Sequence, residues 1–418
     1  MPNSAGQSAP RHGKAPLVYA LIFTVFVDMV GFGIVLPLLP LYAQKFGASP
    51  EIVTLVAVSY TLAQSIFGPF WGWLSDRIGR KPILLFTIGG TFSAYFLLAF
   101  SSSLWMLFIA RFFGGAMAAN MSVTHALIAD VTTPAERTRA IARLSGAAGL
   151  GFVAGPAIGG LLGGSDPANP DFLSPYLAAA AFSAIAFVLA IILIRETVSA
   201  EQKSRARIMP GLSSWIAMFS KPQTRLVLCL MFCTPFVFAG VEVIIVLWSE
   251  RVWGWGPHQN GLFYAWMGLC HMVLQWFVVG RLAVRFGERN LITAGAISLG
   301  LGVLWLPLAS FEVELYFGAL LMIFGTSTSS ASLSSMLSQY ADADSRGRVL
   351  GVGQTFGGFG RIGGPALAGV AFAALGVHWP FYVGAMVMVG MAVFSRFIIA
   401  QRATEISTAH ADDPGQKP

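Results

Sequence analysis

Two acidic residues of this chain lie in the middle of long apolar stretches. Of its 19 acidic residues, Asp28 and Glu242 are the two placed deep inside such stretches, whereas Asp130 comes at the end of one. An ionised carboxylate in a bilayer is costly unless it is paired, protonated or in contact with water. A low dielectric also favours the protonated form, which suits a carrier of protons. We therefore predict that both acids carry protons, with a buried structural ion pair as the alternative.

Other polar groups inside apolar stretches could interact with these acids. Arg111 and Arg361 could neutralise an acid or bind an anion, and His271 could exchange a proton near neutral pH. For His125, a hydrogen-bonded packing role and a role in a cavity are both open. The other polar and aromatic candidates could contact a cargo molecule or join helices. These candidates are Gln64, Asn120, Gln275, Tyr60, Phe236, Trp248 and Trp266.

Twelve apolar segments position these residues. The chain of 418 residues is 56% hydrophobic and only 11% charged, against about 25% charged in soluble domains. It therefore lacks the polar surface of a water-soluble protein. Runs of about twenty apolar residues, bounded by charges or by Pro and Gly, predict membrane helices. We number them segments 1 to 12, at 17–43, 52–74, 83–101, 105–130, 139–163, 175–195, 225–248, 260–282, 290–310, 313–340, 348–375 and 379–400.

One long polar connection divides the segments into two halves. With both termini on one face, every Lys and Arg lies on that face except Lys45, Arg251 and the intramembrane Arg111 and Arg361. This excess predicts that the termini and the connection are cytoplasmic. The net charge of +7 thus reports membrane topology and not nucleic-acid binding. The predicted order is a tail at 1–16, a six-helix bundle at 17–195, a linker at 196–224, a second bundle at 225–400 and a tail at 401–418.

The two halves repeat each other. GWLSDRIGRK at 72–81, between segments 2 and 3, recurs as GRLAVRFGER at 280–289, with Val284 in place of Asp76. GLGFVAGPAIGG at 149–160 in segment 5 recurs as GFGRIGGPALAG at 358–369 in segment 11. A duplicated six-helix unit with a cavity between its halves is typical of transporters.

The loop between segments 2 and 3 packs four charges into six residues. We predict that Asp76 pairs with a helix end or an arginine while the basic residues stay at the cytoplasmic interface. The loop then either latches the cytoplasmic side shut or only anchors the topology, and the two roles can coexist. Its residues are Gly72, Asp76, Arg77, Gly79, Arg80 and Lys81.

Segment 5 carries glycines at every fourth position. Such spacing lets another helix approach closely, and Pro156 removes a backbone hydrogen bond and bends the helix. The alternative interpretation is generic tight packing. The glycines are Gly151, Gly155, Gly159 and Gly160.

Together these motifs resemble those of the major facilitator superfamily. GWLSDRIGRKP looks like its loop signature, ARFFGGAMAA at 110–119 its arginine motif, and GLGFVAGPAIGG its antiporter motif. FVDMVGFGIVLPLLP and ALIADVTTPAERTRA are similar to the drug–proton antiporters with twelve helices, and most of all to tetracycline efflux proteins. The resemblance implies an all-α membrane protein with twelve transmembrane helices in two pseudo-symmetric six-helix bundles.

The resemblance also implies a proton-coupled exporter of a small amphipathic drug that works by alternating access. The histidine typical of tetracycline exporters is matched by His271, but their acid in segment 9 is absent here. Either Glu242 has taken over the role of that acid in proton transfer, or the cargo differs. The alternative is a metabolite or organic-anion transporter, a symporter or a uniporter. Proton coupling is assigned to Asp28, Glu242, Arg111 and His271, and cargo binding to Gln64, Asn120, His125, Gln275, Arg361, Phe236 and Trp266.

The sequence carries no motif of catalysis. It has no Walker loop, HExxH, nucleophile elbow or CxxC, so we expect no enzymatic activity, cofactor or metal. Cys229, Cys233 and Cys270 lie in apolar segments, where we expect them to pack in the core. The expected partners are the lipid bilayer, protons and a small-molecule cargo. We expect a monomer in a bacterial inner membrane.

Overall fold

The computed structural model describes residues 14–166, 169–197, 222–340 and 346–398. Within these ranges the chain forms helices and short connections, with no strand. The tails predicted at 1–16 and 401–418 and the linker predicted at 196–224 lie wholly or largely outside the described residues.

The described residues of the first half form eight helices. Segment 1 was expected as one helix but is broken at 36–38, because Pro37 lacks an amide hydrogen and disfavours helical geometry in the residue before it. Segment 4 is broken at 118–120, directly before a new helix begins. The helices are α1 (Lys14–Val35), α2 (Leu39–Lys45), α3 (Pro50–Ile78), α4 (Arg80–Ala99), α5 (Leu104–Met117), α6 (Met121–Val131), α7 (Pro134–Gly163) and α8 (Leu173–Leu193).

Seven helices and two irregular turns make up the second half, as far as the structure describes it. Segment 8 consists of two α-helices joined by a π-helical turn, Leu274–Val278, and segment 9 ends in a 3₁₀ turn, Leu306–Leu308. The helices are α9 (Pro222–Trp253), α10 (Pro257–Val273), α11 (Val279–Phe286), α12 (Glu288–Trp305), α13 (Glu312–Gln339), α14 (Arg346–Ala374) and α15 (Trp379–Ser395).

All twelve predicted segments are helical, which confirms an all-α, multi-pass membrane protein with twelve transmembrane helices. By length and hydropathy alone, nine helical stretches of the described chain can cross a membrane. The other three segments are α13, which is rich in Ser and Thr, α14, which is rich in Gly, and α15, which has 17 residues. Hydropathy understates α13 and α14 because of their polar and small residues, which suit contacts between helices, whereas α15 is apolar but short.

The same helix pairs pack together in each half. In the first half α1 packs on α7, and α4 packs on α8 and α5. In the second half the equivalent helices do the same: α9 packs on α14, and α12 packs on α15 and α13. This correspondence confirms the two pseudo-symmetric six-helix bundles that the sequence repeats predict.

The contacts between residues divide the chain into two compact units, each made of three separate stretches of the chain. Unit 1 comprises residues 1–38, 62–209 and 256–265, and unit 2 comprises 39–61, 210–255 and 266–418. The short α2 and the first turns of α3 therefore belong to unit 2, and the first half of α10 belongs to unit 1.

Glycines set the distance between helices inside each unit. In unit 1, a methyl group on Gly155 of α7 would lie 2.7 Å from the Cα of Gly33 in α1. In unit 2, a methyl group on Gly325 of α13 would lie 2.5 Å from the carbonyl oxygen of Gly295 in α12. Both distances are shorter than any real Cβ contact, so these backbones touch in a way that only glycine permits.

Candidate functional site

Asp28 lies in α1 beside the break between α5 and α6. Its Oδ1 is buried and has no hydrogen-bond partner among the described residues. The side chain of Asn120, which sits in that break, hydrogen-bonds the Asp28 carboxyl group. Asn120 in turn donates to the hydroxyl of Thr87 in α4, with 3.4 Å between Nδ2 and Oγ1. The break thus lets one amide join α1 to α4 next to a half-satisfied carboxyl group.

Asn120 was predicted to contact cargo, which stays a prediction, and its described contacts lie inside unit 1. Its side chain is buried and faces Asp28 and Thr87 inside unit 1. An amide is a neutral group that can donate to a carboxylate and also bind a carboxylic acid through its carbonyl oxygen. Asn120 therefore can support Asp28 in both protonation states.

Glu242 and Arg361 lie close enough for their charges to interact. Glu242 belongs to α9 and Arg361 to α14, the tightly packed pair of unit 2. The two helices touch next to Arg361, where a methyl group on Gly360 would lie 2.5 Å from the carbonyl oxygen of Phe232. Glu242 is half-buried and Arg361 is exposed. This neighbourhood holds an acid and a base, whereas that of Asp28 holds an amide.

His271 is held by a hydroxyl group in the middle of its segment. Its Nδ1 lies 3.1 Å from Oγ of Ser327, a residue of α13 that is 2% exposed. The π-helical turn Leu274–Val278 begins three residues later. Such turns are rare and occur often at functional sites, because they shift the helix register and weaken its hydrogen bonds. The pair His271 and Ser327 is therefore placed beside a locally irregular helix.

The remaining predicted residues differ in exposure. Arg111 is buried in α5, at 4% exposure, while His125 in α6 and Gln275 in the π-helical turn are exposed. Gln64 and Phe236 are half-buried. The structure places Gln64, Asn120 and His125 in unit 1, and Phe236, Trp266, Gln275 and Arg361 in unit 2.

Two tryptophans of the second half, Trp248 and Trp266, make packing contacts. Trp248, expected as a cavity wall, is 1% exposed and donates its indole N–H to Nδ1 of His378 at 3.1 Å. It also packs edge-on against Phe381. Trp266 is partly exposed and donates to the carbonyl oxygen of Tyr316 at 3.2 Å. Only Trp266 of the two has surface left for another molecule.

Arg80 is the centre of an ion cluster at the end of α3. It pairs with Asp76 one turn earlier, and its Nε lies 3.3 Å from Oδ2 of Asp130 at the end of α6. Its Nη1 also donates to Oγ of Ser75 at 2.7 Å. Gly79 before it has φ 128°, a conformation that L side chains rarely adopt. We call Asp76, Arg80 and Asp130 the gating cluster, and the three lie in unit 1.

The other residues of this loop have separate contacts. The guanidinium of Arg77 lies over the ring of Trp73, 4.3 Å from its centroid. Lys81 donates to the carbonyl oxygen of Ile191 in α8 at 3.0 Å. A methyl group on Gly72 would lie 3.2 Å from Oγ of Ser122, which donates to the carbonyl oxygen of Gly68. The loop therefore holds several helix ends together within its own unit.

The glycines of segment 5 contact two different helices. Methyl groups on Gly151 and Gly159 would lie 2.5 and 2.7 Å from the carbonyl oxygens of Phe26 and Ile34 in α1. One on Gly160 would lie 2.8 Å from the Cα of Gly261 in the part of α10 that belongs to unit 1. Pro156 lies inside α7 between these contacts.

Sequence reasoning missed several partners of the candidate residues. Asp130 was noted only as an acid at a helix end, and Ser327, Glu196 and Thr197 were not singled out. Ser327 sits in a run of hydroxyl residues, TSTSSAS at 326–332, which was the one available signal. The contacts themselves join residues dozens of positions apart, which no local pattern encodes.

Comparison with known proteins gives a consistent family. The family model described as Major Facilitator Superfamily matches residues 21–276 and 243–417. The tetracycline resistance protein of class B from Escherichia coli is 30% identical, over 91% of this chain and 93% of its own length. Multidrug resistance protein 2 of Bacillus subtilis is 26% identical, over 89% and 93%. The crystal structure of a bacterial homologue of the human lysosomal transporter Spinster superposes with a TM-score of 0.80 at 14% identity, covering 93% of this chain and 97% of that one.

Proposed function

Because this chain belongs to the major facilitator superfamily, we propose that it is a proton-coupled exporter of small amphipathic drugs. The observation that carries the proposal is the carboxyl group of Asp28. One of its oxygens is buried in a membrane helix with no hydrogen-bond partner among the described residues. A carboxyl group in that position is stable when protonated and costly when ionised, so it is suited to taking up and releasing a proton.

The proposed mechanism is alternating access with proton exchange. A proton entering from outside neutralises Asp28 or Glu242, cargo leaves outward, and the carrier returns inward to release the proton. Asn120 holds the Asp28 carboxyl group in place in both states, and Arg361 compensates the charge of Glu242 when it is ionised. One proton moving through 100 mV supplies about 2.3 kcal/mol, enough for a cargo gradient of about fiftyfold.

The proposed cargo is tetracycline-like or another planar amphipathic antibiotic. Relatives named as tetracycline resistance proteins and as multidrug resistance proteins support this class. The aromatic side chains of Phe236 and Trp266, half-buried and partly exposed, suit a planar molecule. The identity of about 30% and the missing acid in segment 9 favour a cargo that differs in detail from that of the relatives.

A second candidate is transport of an organic anion or a metabolite. The observation that favours it is Arg361, an exposed guanidinium inside a membrane helix, which could bind a carboxylate. Under this alternative, Glu242 would compete with the anion for Arg361.

The proposed location is a bacterial inner membrane with both termini in the cytoplasm. The excess of Lys and Arg on one face supports this orientation. A fluorescent protein fused to either terminus is expected to fluoresce in the cytoplasm, and an alkaline phosphatase fusion is expected to be inactive.

Inverted membrane vesicles test the function. We expect tetracycline added to energised vesicles to make the lumen more alkaline, because drug entering the lumen is exchanged for protons leaving it. Vesicles with the Asp28→Asn variant are the matched control and should give no response. Acidification of the lumen, or a response to organic acids only, would favour the second candidate.

A further inference from the structure

The chain that follows α8 is bound to the gating cluster. This short stretch, Ile194–Thr197, leads directly into the linker predicted from the sequence, which was expected only to join the two halves. Residues Glu196 and Thr197 contact the first residue of α4 and the last turn of α6, which lie 116 and 67 positions away along the chain. All of these residues belong to unit 1.

Glu196 caps α4 from outside that helix. The backbone N–H of Arg80, the first residue of α4, donates to its Oε1 at 3.0 Å. The N-cap position itself is Gly79, which has no side chain to offer. A carboxylate at a helix N-terminus is favoured both by the free N–H groups and by the helix dipole. A Cβ on Gly79 would collide with this carboxylate, so the glycine also makes room for it.

Thr197 holds Asp130 in place. Its Oγ1 donates to Oδ2 of Asp130 at 3.0 Å, and that same oxygen accepts the hydrogen bond from Nε of Arg80 at 3.3 Å. One carboxylate oxygen therefore joins the arginine of the gating cluster to the start of the linker. With one donor removed, Asp130 would keep its charge but lose the orientation that directs Oδ2 to Arg80.

We propose that Glu196 and Thr197 are positioning residues of the gating cluster. Glu196 fixes the start of α4, Thr197 fixes Asp130, and together they set how tightly Arg80 holds the ends of α3, α4 and α6. Glu196 and Thr197 are then parts of the gate, because a displacement of Glu196 reaches the backbone of Arg80 directly and a displacement of Thr197 reaches its side chain through Asp130. The effect on transport rests on the proposed transport function, whereas the contacts themselves do not.

Hydrogen exchange on the purified full-length protein tests the contacts without any cargo. In Glu196→Ala we expect faster exchange in the first turn of α4, about fivefold for the loss of one cap. In Glu196→Gln the amide oxygen still accepts, so exchange should stay close to that of the unchanged protein. Arg195→Ala is the matched control, an exposed neighbour outside the cluster. Equal exchange in Glu196→Ala and Arg195→Ala overturns the proposal.

Transport in liposomes tests the positioning role. With tetracycline as the probe, Glu196→Ala and Thr197→Val should lower kcat about fivefold each, with KM unchanged, because they alter a conformational step and not a cargo contact. Thr197→Ser keeps the hydroxyl and should restore the rate. A change in KM, or a failure of Thr197→Ser to restore kcat, overturns the proposal. If the unchanged protein moves no tetracycline, the proposed cargo fails, and the exchange experiment alone decides the inference.

Discussion

The loop before α4 and the loop before α12 are copies of one motif in opposite halves of the chain. In each, a glycine with positive φ precedes the helix, 128° at Gly79 and 76° at Gly287. In each, the second residue of the helix donates to a backbone carbonyl at the end of the last helix of its half. Lys81 donates to Ile191 and Arg289 donates to Arg396. In both halves, the motif thus links the start of the helix that follows it to the end of the last helix of that half.

The first residue of the following helix is where the copies differ. Arg80 binds the acids Asp76 and Asp130, whereas Glu288 accepts hydrogen bonds from the side chains of Ser335 and Gln339 near the end of α13. Val284 stands where Asp76 stands in the first copy, and it is 91% exposed.

The two copies therefore share the contact of the second helical residue with a backbone carbonyl. They differ in the charge of the first helical residue, which is positive at Arg80 and negative at Glu288. The first copy depends on ion pairs among partly exposed groups, and the second on hydrogen bonds between one acid and neutral side chains. Ion pairs respond to salt and to nearby charges, whereas neutral hydrogen bonds respond much less. We therefore expect the first half to contain the charge-sensitive gate, and the second half to be a more constant frame.

The largest expected effect contrasts the two intramembrane acids of the equivalent helices α1 and α9. Asp28→Asn should abolish proton-driven efflux while the protein still reaches the membrane, because an amide cannot carry a proton at that depth. Efflux from cells and membrane abundance measure the two quantities. Drug resistance equal to that of the unchanged protein would rule out the coupling role.

Glu242→Gln tests whether the acid beside Arg361 also carries a proton. We expect this variant to lose one proton-linked step from a pH titration of tetracycline binding, because Glu242 can no longer change its charge. If the titration keeps all its steps and only expression or thermal stability falls, Glu242 serves assembly as the structural partner of Arg361. Gln354→Ala, at an exposed position of α14 in the same half, is a control without a carboxyl group.

Arg80→Ala and Glu288→Ala compare the two loops directly. Removing Arg80 leaves Asp76 and Asp130 without their cation, and we expect a loss of about 1.5–3 kcal/mol in the free energy of unfolding. Removing Glu288 breaks hydrogen bonds of a half-buried acid to neutral side chains and should cost about 0.5–1.5 kcal/mol. Thermal unfolding in detergent at low and high salt measures both. A similar salt dependence of the two losses would contradict the contrast between the copies.

Much of this arrangement could be predicted from the sequence, for reasons that individual residues show. Asp28 and Glu242 stand out because charge is rare in apolar segments, and Gly79 because a charged loop needs a tight turn. The break at 118–120 could not be predicted, since no proline or glycine occupies it. Nor could the burial of Trp248 against His378 or the approach of Glu196 to Arg80. These depend on how distant helices pack, which leaves no periodic signal.

Ser327 provides a smaller test, because in the described part of the chain only the second half has a histidine held by a hydroxyl. Ser327→Ala should slow efflux about fivefold, as the loss of one hydrogen bond of about 1 kcal/mol lets the ring of His271 reorient. Ser327→Thr keeps the hydroxyl and should retain the rate. The pH profile of efflux should shift in Ser327→Ala but not in Ser327→Thr, a distinction that a change in packing alone would not produce.

The smallest expected effect comes from restoring the missing acid of the second loop. Val284→Asp alone should lower stability by about 0.2–0.5 kcal/mol, because the new acid would lie four residues before Glu288, another acid, at the position from which Asp76 reaches Arg80 in the first loop. In the background of Glu288→Arg, which recreates the order of charges in the first loop, Val284→Asp should instead raise stability by a similar amount, measured against Glu288→Arg alone. Thermal unfolding of these variants measures the difference, and a stabilising effect of Val284→Asp alone would contradict it.

The backbone contact between Gly33 and Gly155 has a practical consequence for spectroscopy. Since a methyl group does not fit between α1 and α7, these helices cannot slide or rotate against each other without separating. Spin labels at Phe23 and Leu150, both exposed positions on these two helices, should therefore give one narrow distance distribution at every pH and drug concentration. The distance between these two labels would serve as a constant reference, with which distances that change during the cycle can be compared.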